Sequence, residues 1–233
     1  MREAQVRRWT GVVGVAGFVV FLVALPLYFL GPQPMGRLED SAQFADAVSK
    51  VNTLILARTT LADPLILACL LVFVAGFSRL IRQARPDHEW VAAVVFGAGL
   101  VVLTLELAGD ALAGGAALDT IIKADPAVVR GLWEGSIVFY GAIGLMMSAL
   151  LLAALGYATL ATGIVPRWIG WMALVAAVVN LAAAPAIFAG TDVTGFYTAN
   201  GYVTFIAQGV MLIWFLMAGA AMIPAQSDRG TEP

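Results

Sequence analysis

Six apolar runs, each long enough to cross a hydrocarbon layer of about 30 Å, govern what this chain can fold into. They cover residues of about 10–30, 64–82, 90–112, 132–162, 166–188 and 200–223. The chain of 233 residues is 61% hydrophobic and 12% charged, with mean hydropathy +0.91. A soluble domain of this size cannot hide that much apolar surface, so lipid must cover part of it. The expected fold is all-α: a single membrane domain over residues 1–233, built as a bundle of six transmembrane helices. The first run follows Arg7 and Arg8 in the manner of a signal peptide. It is too long for one and lacks a small-x-small cleavage site, so it reads as a retained span.

Positive charge predicts orientation. With both termini in the cytoplasm, Arg2, Arg7, Arg8, Arg79, Arg82, Arg85, Arg167 and Arg229 lie inside. Arg37, Lys50, Arg58, Lys123 and Arg130 lie outside. Trp9, Trp90, Trp168 and Trp171 then form an inner aromatic belt, and Tyr28, Trp133, Tyr197 and Tyr202 an outer one. The arginine, alanine, glycine and valine usage points to a GC-rich bacterial genome, hence to a bacterial cytoplasmic membrane. Between spans one and two, the segment at about 40–60 puts Phe44, Val48, Val51 and Ile55 on one helical face. It reads as an amphipathic helix on the outer surface. "LADPLIL" and "KADPAVV" place Asp63 and Asp125 as N-caps, with Pro64 and Pro126 at the first helical position. Span four is too long to run straight, and Gly135, Gly141 and Gly144 allow close packing within it.

Two carboxylates, Glu106 and Asp110, stand four residues apart in span three, "LTLELAGDALAGG". At about 1.5 Å per residue from Trp90, Glu106 is about 24 Å into the core, in its outer quarter. Asp110, one turn further, falls at the outer interface, where water should reach it. The same arithmetic puts Asn180 about 9 Å and Gln208 about 12 Å below the outer edge, with Tyr140 at similar depth. These depths predict an outward-facing polar pocket formed by Glu106, Asp110, Tyr140, Asn180 and Gln208. Two readings of Glu106 compete. As an anchor it pairs with Arg58 or Arg130, or bonds in protonated form to Asn180 or Gln208. As a site it binds a ligand or carries a proton.

Several chemistries are excluded. Net charge −2 leaves no nucleic-acid footprint. His88 is the only histidine and Cys69 the only cysteine, so a bis-histidine haem, a histidine-rich metal site and an internal disulfide cannot be built. Both lysines lie in loops, which removes a retinal Schiff base. No nucleotide-binding or hydrolase motif occurs, and no cofactor is expected. Met146, Met147, Met211 and Met217 read as packing residues.

The stretch "GLMMSALLLAALGYATLATGIVPRWIG" carries a resemblance through Gly144-Leu145, Gly156-Tyr157, Gly163, Pro166 and Gly170. It resembles an uncharacterised bacterial family of six-span integral membrane proteins, a domain of unknown function. "LARTTLADPLIL" sits where that family has a helix leading into the membrane. Leu151 stands where its members often carry a histidine. The resemblance implies the six-span fold and no activity. The expected function is therefore a ligand-binding, sensing or accessory module, in contact with lipid, a small-molecule ligand and either a membrane-protein partner or a second copy. The alternatives are a small proton-linked carrier using Glu106 and an intramembrane lipid-modifying enzyme.

Overall fold

The computed structural model describes residues 3–30, 40–191 and 195–223, and among these the chain is helical without any strand. The inside and outside assignments of Arg2, Arg37 and Arg229 fall outside the described residues. The helices are α1 (Glu3–Leu30), α2 (Ser41–Ser49), α3 (Asn52–Ala57), α4 (Asp63–Ala84), α5 (Glu89–Ile121), α6 (Pro126–Val138), α7 (Gly144–Thr162), α8 (Arg167–Ala183) and α9 (Tyr202–Met222). Six continuous helical stretches are long and apolar enough to cross a membrane, which makes this a multi-pass membrane protein. Neighbours follow one another around a closed ring, α1, α4, α5, α7, α8, α9 and back to α1.

The ring is tied most tightly at the end that carries the described termini. Glycines let α1 and α9 touch backbone to backbone there. A Cβ on Gly11 would lie 2.6 Å from the Gly219 carbonyl oxygen, and one on Gly219 2.9 Å from the Gly11 carbonyl. Arg7 donates to the Ile164 carbonyl at 2.9 Å, joining α1 to the turn between α7 and α8. In that turn Gly163 takes φ +66°, a left-handed value suited to glycine, and its N–H closes α7 on Thr159. Inside this half, Phe73, Phe77, Trp214 and Phe215 interlock, with Phe73 and Phe215 edge to face at 5.0 Å. The Trp214 indole N–H donates to the Ile169 carbonyl at 2.8 Å, so this plug leaves no indole donor stranded.

At the opposite end α5 continues well past residue 112, to Ile121, and supports a small second core. Phe44, Val48 and Ile55 pack there on Ala113, Ala116 and Ala117 of α5 and on Val129 and Trp133 of α6. The amphipathic segment is thus two short helices that meet near Lys50 and turn their apolar face onto protein. Trp133 departs from its expected place in an outer belt: it is buried, edge to face with Phe44 at 6.3 Å, because α6 begins beneath α2.

Two long helical stretches are interrupted by single π-helical turns, Arg58–Ala62 before α4 and Phe139–Ile143 between α6 and α7. Each widens the helix by one residue locally, a feature common at functional sites. In the second, Gly141 leaves the helical region at ψ −105°. Gly144 permits this turn, since a Cβ there would collide with the Phe139 carbonyl.

Candidate functional site

Both π turns face one cavity of about 310 Å³, in the half of the bundle away from the described termini. Its walls come from α1, the first π turn with α4, α5, the second π turn, the Ala199–Gly201 loop and α9. Arg58 projects from the first π turn, and Asp63 follows it directly. Tyr140 projects from the second. Glu106 and Asp110 come from α5, one turn apart on the same face.

The polar contacts form a connected set. Arg58 Nε lies 3.3 Å from Asp63 Oδ2. The Tyr28 hydroxyl donates to Asp63 Oδ1. The Arg58 guanidinium sits over two rings, 5.5 Å from the centre of Tyr28 and 5.9 Å from that of Tyr140. Such cation–π placement suits arginine's flat, weakly hydrated head. The Tyr140 hydroxyl donates to Asp110 Oδ1 at 2.6 Å. Gln208 Nε2 donates at 3.4 Å to the Tyr140 carbonyl, a backbone group inside the second π turn. The Tyr140 ring lies flat on Gly109, where a Cβ would stand 2.6 Å from its Cε1 atom.

Two acceptors stay open. Asp110 is 4% exposed and its Oδ2 takes no N–H or O–H donor, with the Asp63 carboxyl as its polar neighbour. Glu106 lines the cavity half-buried, and among the described residues none donates a hydrogen bond to it. Asp63, Glu106 and Asp110 thus put three carboxylates around one guanidinium. Among the described residues no three His, Cys, Asp or Glu side chains are arranged to hold a metal ion.

Of the residues singled out in the sequence, Glu106, Asp110, Tyr140, Gln208 and Arg58 line this one cavity. Asn180 does not. It is fully buried on α8, which contributes nothing to the walls, and its amide donates to the Ala176 and Ala207 carbonyls at 2.9 and 3.1 Å. Its depth matches the others, but its rotation about the helix axis turns it onto α9. Arg130 also lies elsewhere: it bridges Glu134 at 2.7 Å, one helical turn away on α6. Arg58 is an ion-pair former, but with Asp63 rather than Glu106, because the continuous helix through the π turn carries Asp63 back beside it. Asp110 is not at a watery interface, since the extension of α5 and the second core cover it. Tyr28 and Asp63, assigned above to an aromatic belt and a cap, belong to the site. Their spacing carries no signal for this. The one clue was that Asp63 follows an arginine by five residues.

No family model, no curated protein and no solved structure matches the chain.

Proposed function

We propose that this chain is a ligand-binding module of a bacterial cytoplasmic membrane, acting as a sensor or accessory subunit, with cytoplasmic termini and an outward-facing cavity. The observation that carries the reading is Asp110 Oδ2: an acceptor without a donor, on a side chain 4% exposed, at the wall of a preformed cavity. Buried polar atoms are nearly always satisfied, and those left open in an enclosed pocket await a partner. The orientation draws support from charge. Among the described residues Arg7, Arg8, Arg79, Arg82, Arg85 and Arg167 sit toward the end with the described termini, against Lys50, Arg58, Lys123 and Arg130 opposite. The aromatic plug below the cavity weighs against a carrier, which needs a second way out.

Native mass spectrometry of protein extracted gently from its own membrane tests this. The wild type is expected to retain a small molecule that Asp110→Asn and Glu106→Gln lose. A wild type with no retained mass, together with proton flux in proteoliposomes that Glu106→Gln abolishes, would move the assignment to carriage. Impermeant thiol labelling of cysteines introduced at positions 3, 87 and 195, in a Cys69→Ser background, tests orientation: reaction only at 195 is expected in intact cells.

A further inference from the structure

The cavity changes character along its length, and it does so in step on α1, α4, α5 and α9. On α1, Tyr28 lies at the outer end and Phe21 two turns deeper. On α4 the sequence runs from Asp63 to Leu70, and on α5 from Asp110 through Glu106 to Val102. On α9 it runs from Thr204 to Met211 and Leu212. Each descent covers seven or eight residues, which at 1.5 Å per residue is about 10–12 Å. All the carboxylates are therefore at one end, and the other end is a purely apolar floor near the middle of the bundle. Gly209 opens directly on this space, as a Cβ there would meet nothing within 4 Å.

Resting on the ligand-binding reading above, we infer that the cavity takes a single-chain cationic amphiphile, an alkylammonium whose amine sits among Asp63, Glu106 and Asp110 and whose chain lies toward Phe21, Leu70, Val102 and Leu212. The charge argument is direct. One guanidinium, already engaged with Asp63, stands against three carboxylates. Asp110 Oδ2 has no donor, and none of the described residues donates to Glu106. An ammonium brings a positive charge and up to three N–H donors. An anionic head would face two carboxylates, and the one guanidinium among the described lining residues is already paired with Asp63. The apolar floor has no donor or acceptor for a second polar end, so the far part of the ligand must be hydrocarbon. A volume of about 310 Å³ is at the small end of ligand pockets and admits one short chain, not a two-chain lipid.

The test is thermal unfolding of the full chain in lipid nanodiscs with three probes at equal free concentration: octylammonium, octanoate and ethylammonium. Octylammonium is expected to raise the wild-type midpoint by several degrees, and the other two to leave it unchanged. Asp110→Asn and Glu106→Gln are each expected to weaken octylammonium binding about tenfold or more, as befits a charge-assisted contact. Gly209→Phe fills the apolar end without touching a charge and is expected to abolish the shift. Equal stabilisation by ethylammonium overturns the chain, and stabilisation by octanoate overturns the cationic head. If octylammonium has no effect while native mass spectrometry still finds a retained mass, the amphiphile assignment falls and the ligand-binding reading survives. If Gly209→Phe responds as wild type does, the bound probe is elsewhere and the assignment falls as well.

Discussion

The chain contains the tripeptide Ala-Asp-Pro twice, at residues 62–64 and 124–126, each time leading into an apolar helix. The two copies do different things. Asp125 is a helix cap: it has an extended backbone, and its carboxylate accepts from the Ala127 N–H at 2.9 Å, with Pro126 opening α6. Asp63 caps nothing. The helix already runs through residues 58–62 as a π turn, so the Asp63 backbone is helical and its N–H is bonded to the Arg58 carbonyl. Its side chain, released from capping, takes the Arg58 guanidinium and the Tyr28 hydroxyl instead. The difference teaches that the residue pattern sets what an aspartate can do, while the conformation of the preceding turn decides which option it takes.

The largest effect that would sharpen this contrast is expected at the first copy. Asp63→Ala leaves a mostly buried Arg58 without its carboxylate, a loss typically of about 3–5 kcal/mol. Chemical unfolding in detergent measures it, and Arg58→Met in the same chain should recover part of the loss. A cost near 1 kcal/mol, with no rescue, would reduce Asp63 to a second cap and erase the contrast. Next comes Gly144→Ala, which pushes a methyl group against the Phe139 carbonyl and so opposes the second π turn. We expect about 1–3 kcal/mol of destabilisation, the usual range for overpacking, together with a loosened Tyr140 ring visible as increased tyrosine accessibility. At the second copy Asp125→Ala should cost about 1 kcal/mol and leave the cavity intact, as loss of a cap does. The smallest change is expected from Glu134→Gln, which breaks the exposed pair with Arg130 on the same helix, about 0.3–0.5 kcal/mol. If Glu134→Gln matched Asp63→Ala, the assignment of Arg58 as the arginine of the site would be wrong.

The six spans were legible because length and apolarity act residue by residue and need no knowledge of neighbours. That Glu106, Tyr140 and Gln208 meet at one cavity was legible for the same reason, as helical rise alone sets their relative heights. Rotation was not, and Asn180 shows this: it lies at the right height on a helix that turns it toward Ala207. The burial of Asp110 was missed for a different reason. Depth counted from Trp90 sets a residue against the bilayer, but α5 outlasts the bilayer and α2, α3 and α6 close over it. The π turns themselves leave no mark in composition, because shifting a backbone hydrogen bond by one residue needs no particular side chain at most positions. Only Gly144 bears a trace of it.

Each π turn holds one residue more than a regular helix would need over the same rise. Removing that residue therefore does not break the helix; it restores the regular hydrogen-bond ladder and leaves the flanking segments close to their present register. In the stretch from Pro126 to Thr162, a one-residue deletion within Phe139–Ile143 would keep the span and its packing nearly unchanged while withdrawing the widened turn that presents Tyr140 to the cavity. The site is thus removable by the smallest lesion a coding sequence can suffer in frame, one codon, with the membrane architecture left standing. The converse holds as well: one inserted codon in an ordinary apolar helix is enough to start such a site.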